Sequence, residues 1–218
     1  MTREHVRARI AEIGIVPAVR LHSAADALFA AEAICGAGIP IVEVTTTVPG
    51  AVDVIRELAK HSPEIIVGAG TLLYADSARR CLDAGAKFLT TTGFDLDIVN
   101  LALARDTVVF PGVLTATEVM ASFKAGCDFV KVFPCAPVGG PAYIRALKAS
   151  FPQIPLIASG GVNQQTAADY IRAGAVALGI GTDLIHQDAI KHRNQSWIRE
   201  LARRYTNIVT ETRQENSQ

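Results

Sequence analysis

The chain has 218 residues, half of them hydrophobic, and its 21 basic side chains are balanced by 21 acidic ones. A full core is therefore available without staples, and the densest basic group, Arg199, Arg203 and Arg204, reads as a solvated helix face, so no nucleic-acid partner is expected. No apolar run reaches membrane-spanning length, and Met1 to Ile13 is charged and amphipathic without the apolar core of a secretory signal, so a cytoplasmic protein with no membrane partner is expected.

Eight strand-like runs follow one another: 15–20, 40–46, 65–68, 87–91, 107–111, 128–133, 155–159 and 175–180. Their starts lie roughly 20 to 27 residues apart, the size of a βα unit. Helical patterns separate them. Ser23 opens one, with Leu28, Ala31 and Ile34 on one face, and Thr115-Ala116-Thr117-Glu118 is a capping box that opens another. Asn163 caps a third that runs to Arg172, and the last helix carries Trp197, Leu201 and Tyr205 at i, i+4 and i+8. Ala-Gly pairs at 37–38, 84–85, 125–126 and 173–174 fit glycine helix stops that feed the next strand. Together these predict an α/β protein, a single (β/α)8 barrel domain over residues 1–218 with a short N-terminal helix and a frayed tail at 212–218. The rival, a doubly wound open sheet, favours a glycine fingerprint after the first strand, where this chain has Val19-Arg20-Leu21.

Cys35 and Cys81 fall on apolar helix positions, and Cys127 and Cys135 bracket the sixth run. None forms a C-x-x-C pair, and no histidine stands beside them at metal-ligand spacing, so packing roles and no metal are expected.

Lys131 is the outstanding residue: one cation inside Asp128-Phe129-Val130-Lys131-Val132-Phe133-Pro134. Burial lowers an amine pKa, and a neutral amine attacks carbonyls, the requirement for a Schiff-base enzyme. A lysine snorkelling from the strand end, or paired with a buried carboxylate, is the other reading. Glu43, in Ile41-Val42-Glu43-Val44-Thr45, is an acid in a similar setting, either an ion-pair partner of Lys131 or Arg20 or a general acid/base. Ser159-Gly160-Gly161 and Gly179-Ile180-Gly181-Thr182 end the last two runs. Such turns either are merely tight or present backbone N–H groups to a phosphate, and barrels often place a phosphate there.

With these residues placed, the chain resembles the 2-keto-3-deoxy-6-phosphogluconate/4-hydroxy-2-oxoglutarate (KDPG/KHG) aldolase family. The resemblance rests on Val16-Pro17-Ala18-Val19-Arg20, Val42-Glu43-Val44-Thr45, Val67-Gly68-Ala69-Gly70-Thr71, Val130-Lys131-Val132-Phe133-Pro134 and Ser159-Gly160-Gly161-Val162, in that order. It implies a class I lyase on a (β/α)8 barrel, without metal or cofactor, typically a homotrimer. Lys131 would form the Schiff base and Glu43 would shuttle protons. Thr71 and Phe133 would line the keto-acid site, with Arg20 near the substrate. Ser159, Gly160, Gly161, Gly181 and Thr182 would meet the distal phosphate. The family commonly has an arginine where this chain has Thr47, and Ser-Pro-Gly where it has Thr91-Thr92-Gly93. Thr92 then takes the place of the proline that shapes the pocket, and Arg20 becomes the candidate cation for the substrate carboxylate.

The implied reaction splits a 2-keto-3-deoxy-6-phospho sugar acid to pyruvate and glyceraldehyde 3-phosphate. The alternatives are the same chemistry on 4-hydroxy-2-oxoglutarate, a galactonate-series acid or an unphosphorylated acid. A barrel that only binds a sugar acid or phosphate is the alternative of another class, and a phosphosugar isomerase leaves Lys131 unexplained.

Overall fold

The apolar runs become the strands of one parallel sheet in a computed structural model, which describes residues 1–216. The strands are β1 (Ile15–Val19), β2 (Ile41–Thr45), β3 (Ile66–Leu72), β4 (Phe88–Thr91), β5 (Val108–Phe110), β6 (Gly112–Val113), β7 (Val130–Val132), β8 (Leu156–Ser159) and β9 (Ala175–Ile180). They are ordered β5-β4-β3-β2-β1-β9-β8-β7-β6, and every pairing is parallel. The eight predicted runs give nine strands because the fifth is interrupted at Pro111, which has no N–H to offer a ladder. Its first half pairs with β4 and its second with β7. The two ends of the strand order are thus consecutive pieces of one segment, and the ring is a (β/α)8 barrel closed through the chain itself.

The helices are α1 (Arg3–Ile13), α2 (Ala24–Cys35), α3 (Ala51–His61), α4 (Ala75–Asp83), α5 (Leu96–Ala104), α6 (Ala116–Lys124), α7 (Pro141–Ser150), α8 (Ala167–Arg172), α9 (Gln187–Lys191) and α10 (Gln195–Glu215). The Ser23 hydroxyl accepts from the Asp26 N–H, and the Thr115–Glu118 box is complete. The Ala-Gly pairs end helices as expected. All four Ala-Gly glycines take a left-handed φ between 86° and 109°. At Gly85 its own N–H reaches Leu82 O (2.9 Å) and the next N–H reaches Cys81 O (3.0 Å), which satisfies carbonyls at the helix end. Cys81, Cys127 and Cys135 are buried, Cys35 is half-buried, and all four are free.

Three boundaries and the setting of one side chain differ from expectation. β3 runs on through Gly68 to Leu72, because its glycines lie under neighbouring side chains rather than in a turn. α8 starts at Ala167, since the Asn163 carboxamide caps a separate turn by accepting from the N–H groups of Gln165 and Thr166. Trp197 is 39% exposed and stacks on His186 with ring centroids 4.7 Å apart, leaving Leu201 and Tyr205 as the buried pair. The tail is not frayed from Thr212: α10 continues to Glu215, Thr212 is buried beside Val209, and Arg213 donates to the carbonyls of Ala11, Glu12 and Val176. Residues 217–218 of that expected tail lie outside the described residues.

α1 buries Val6 and Ile10 and packs against β5 and β9 at the end of the barrel remote from the strand C-termini. Arg3 fixes it there with a bidentate pair to Asp128 (Nε–Oδ1 3.0 Å, Nη2–Oδ2 3.0 Å), and Asp128 Oδ2 also accepts from the Val109 N–H at 2.9 Å. Asp128→Ala strands a guanidinium and a strand N–H at once. A loss of about 2–3 kcal/mol is expected, discounted because Arg3 is partly exposed. For a domain of this size that is roughly 4–12 °C in Tm, measured by thermal melting.

Candidate active site

Three strands deliver the polar groups. β2 sets Glu43 beside Gly68 in register, and the carboxylate swings into the space over Gly70, where an added Cβ would lie 1.9 Å from Glu43 Oε1. Gly68 likewise makes room for the Phe88 ring, which a Cβ would meet at 2.2 Å. β7 brings Lys131, whose backbone N–H bonds to Pro111 O at 3.0 Å. β4 brings Thr90. Lys131 Nζ donates to Thr90 Oγ1 at 2.5 Å, and Thr90 Oγ1 donates to Glu43 Oε2 at 3.4 Å.

All three are buried: Lys131 is 7%, Glu43 6% and Thr90 0% exposed. Burial lowers the Lys131 pKa; Glu43 opposes that shift and the Arg20 charge reinforces it. The Nζ also lies 5.7 Å from the Phe133 ring centroid. Lys131 is therefore not a lysine snorkelling from the strand end but a desolvated amine joined to a carboxylate through a hydroxyl.

Lys131 and Glu43 open into a cleft of about 200 Å³ at the C-terminal ends of the strands, with Thr90 enclosed behind them. Its lining includes Lys131, Glu43, Arg20, Thr71, Thr92 and Phe133 together with Ser159, Gly160, Gly161, Gly181 and Thr182 from the ends of the last two strands. The barrel thus gathers every predicted site residue in one place. Thr71 has a left-handed φ of 59°, unfavourable for a β-branched residue and a form of strain that clusters at functional sites. Arg20 Nη2 donates to its hydroxyl at 3.0 Å and the Thr46 hydroxyl donates to its carbonyl at 2.9 Å. Thr47 instead pairs with the Thr45 hydroxyl at 2.8 Å and does not line the cleft. Arg20 is thus the cation of the cleft besides Lys131. The Thr91 hydroxyl accepts from the Gly112 N–H (3.3 Å) and donates to Gly93 O (2.5 Å), stitching the turn that carries Thr92.

The glycines at the ends of the last two strands differ in kind. A Cβ at Gly161 would stand 2.3 Å from Ala136 Cβ, and one at Gly179 would stand 2.6 Å from Ser159 Oγ, so both are needed for close packing. At Gly181 the nearest atom is Ala18 O at 3.9 Å, and the space is open. Burial pushes the Cys135 thiol up to about 11 and its Sγ contacts Val132 O, a packing role. Among the described residues no three His, Cys, Asp or Glu side chains are grouped to hold a metal ion.

Two residues of the site escape a reading of the sequence. Asp183 is exposed and lines the cleft beside Thr182. Thr90 is two residues after Phe88 on β4, so strand alternation puts it on the same inward face; that periodicity is the signal that marks it.

A buried lysine and carboxylate at the C-terminal mouth of a (β/α)8 barrel define the class, a barrel equipped for carbonyl chemistry through an amine. The family model for KDPG and KHG aldolase matches residues 6–201. Similar proteins include a KHG/KDPG aldolase from Escherichia coli K12, 31% identical over 87% of this chain and 89% of that protein. A 2-dehydro-3-deoxy-phosphogluconate aldolase from Pseudomonas aeruginosa is 30% identical over 88% of this chain and 87% of its own. The solved KDPG aldolase of Legionella pneumophila, with pyruvate captured as a covalent carbinolamine, is 29% identical with a TM-score of 0.84, covering 90% of this chain and 96% of that one. The chain belongs to the KDPG and KHG aldolase family and is a lyase.

Proposed function

We propose that this protein is a class I aldolase that cleaves a 2-keto-3-deoxy-6-phospho sugar acid of the KDPG type to pyruvate and glyceraldehyde 3-phosphate. The observation that carries it is the buried line Lys131–Thr90–Glu43 opening into the cleft. The neutral Lys131 amine attacks the C2 carbonyl; the carbonyl oxygen takes the nitrogen's proton and a second from solvent and leaves as water, giving an iminium. Glu43 takes the C4 hydroxyl proton, the C3–C4 bond breaks, and its electron pair enters the iminium to give an enamine. The aldehyde departs; protonation at C3 and hydrolysis release pyruvate and the amine. Arg20 and Thr71 hold the substrate carboxylate, and Phe133 and Thr92 bound the keto-acid end. No cofactor is needed, because the iminium is the electron sink.

The test is borohydride reduction in the presence of pyruvate, followed by intact mass and peptide mapping. A reduced adduct on Lys131 supports the reading. Its absence moves the assignment to a barrel that binds a sugar acid without cleaving it.

The phosphate is assigned to Ser159, Gly160, Gly161, Gly181 and Thr182, where backbone N–H groups and hydroxyls are the donors. Gly181→Ala is the informative variant, since its methyl enters open space without packing strain. It is expected to lower kcat/KM for a phosphorylated 2-keto-3-deoxy acid about tenfold or more and to leave the unphosphorylated acid within about twofold. Equal loss on both substrates would dismiss the phosphate assignment. Asp183 favours a second reading, because a carboxylate beside Thr182 repels a phosphate dianion and neither loop contains a lysine or arginine. A wild type that prefers the unphosphorylated acid would adopt that reading.

A homotrimer in the cytoplasm completes the proposal. Leu73 and Tyr74 before α4, Leu96 on α5 and Met120 and Phe123 on α6 are large exposed apolar side chains on neighbouring sectors of the barrel, as expected of a surface that meets another copy. No described helix is long and apolar enough to cross a membrane.

A further inference from the structure

Thr90 neither attacks the substrate nor takes its C4 proton, yet it is the most buried polar group of the site. It is fully enclosed, it stands between Lys131 Nζ (2.5 Å) and Glu43 Oε2 (3.4 Å), and it belongs to a strand that supplies neither of them. The direction of the two bonds is set by chemistry. An ionised carboxylate only accepts, so the Thr90 proton points to Glu43. The hydroxyl oxygen then has lone pairs to offer, and one takes an N–H from Lys131. With that N–H engaged, the rotation of the amine about its last bond is restrained and its own lone pair is left for the substrate.

We propose that Thr90 is a positioning residue that orients the Lys131 amine and passes its proton to Glu43. This deepens the Schiff-base reading and rests on it. When Lys131 attacks the carbonyl, the nitrogen becomes a cation carrying a proton it must lose. The Nζ–H bond breaks as a new O–H bond forms on Thr90, and the original Thr90 O–H bond breaks as an O–H bond forms on Glu43. Glu43 hands that proton to the carbinolamine oxygen, which leaves as water, so the carboxylate is free again for the C4 hydroxyl; no group is oxidised or reduced, and the Thr90 hydroxyl is regenerated. The 3.4 Å bond to Glu43 shortens as the carboxylate receives the proton. A relay through a hydroxyl suits this arrangement, because Thr90 occupies the space between the two ionisable groups.

The experiment compares wild type, Thr90→Val, Thr90→Ala and Thr90→Ser as full-length protein. The rate of pyruvate imine formation is followed by cyanoborohydride trapping and intact mass across pH, alongside thermal melting. Valine keeps the volume and removes the hydroxyl. The rate should fall about 10- to 100-fold in Thr90→Val and Thr90→Ala, as for loss of a proton-transfer group, and recover largely in Thr90→Ser. The acid limb of the rate should also move to lower pH in the variants without a hydroxyl, because the ammonium loses an acceptor that favours its charged form. A packing role moves neither the limb nor the serine rescue. Wild-type rates in folded Thr90→Val or Thr90→Ala would overturn the proposal, as would a serine variant as slow as valine. A wild type that pyruvate does not label would instead overturn the Schiff-base reading itself, a result distinct from a labelled wild type matched by valine.

Discussion

Lys131→Ala is expected to give a folded barrel with no detectable cleavage and no pyruvate adduct. The substitution has an energetic effect as well as a chemical one. The ammonium is desolvated, and this holds its pKa below the ordinary lysine value of 10.5. Between the lowered value and 10.5 the unfolded chain binds more protons at this site than the folded one, so this group's contribution to stability rises with pH across that window. Alanine removes that dependence. The variant should melt no lower than wild type at neutral pH, because the vacated space borders a cleft open to water rather than a sealed cavity. In the wild type the same shift places the acid limb of imine formation below the usual lysine range. Turnover within about tenfold of wild type in purified Lys131→Ala would sink the Schiff-base role.

Glu43→Gln should lower kcat by about 10² to 10⁴ while KM changes far less, because proton transfer is made only in the transition state. Glutamine fills the space over Gly70 as glutamate does and can still accept from Thr90 through its carbonyl, so the packing is conserved. It cannot take up a proton. A variant that keeps its turnover but melts early would make Glu43 a structural partner of Lys131, and steady-state kinetics with a melting curve separates the two outcomes.

Much of this was legible in the chain because charge is so costly in a buried strand. Lys131 and Glu43 stand out against valine and isoleucine, and the eight-fold spacing of the runs brings both to one mouth. Thr90 shows only as an inward position of its strand, for the opposite reason. Threonine is an ordinary strand former, and the partners that give it meaning lie 41 and 47 residues away, brought near only by the closed ring. The break at Pro111 is visible as a proline, but its effect, one run serving two ladders, depends on which strands lie on either side. At the C-terminus the polar composition of 212–218 suggests fraying, and what holds α10 there is a set of bonds from Arg213 to the carbonyls of Ala11 and Glu12 on α1 and of Val176 on β9. The turn at 163–166 shows the limit of cap signals: an asparagine marks where capping begins, not where the helix does.

The glycine under Glu43 ties two positions of the chain into one heritable unit. Position 70 can gain a side chain only if position 43 gives up the volume its carboxylate occupies, and position 43 can keep its acid only while position 70 stays bare. Such neighbours do not vary independently; the effect of changing either depends on the state of the other. A lineage that abandons the acid at 43 is therefore released from glycine at 70, and the pair would drift together. Position 68 and the ring at 88 form a second unit of the same kind on the same strand, so that β3 carries, in its missing side chains, an imprint of what its two neighbours must be.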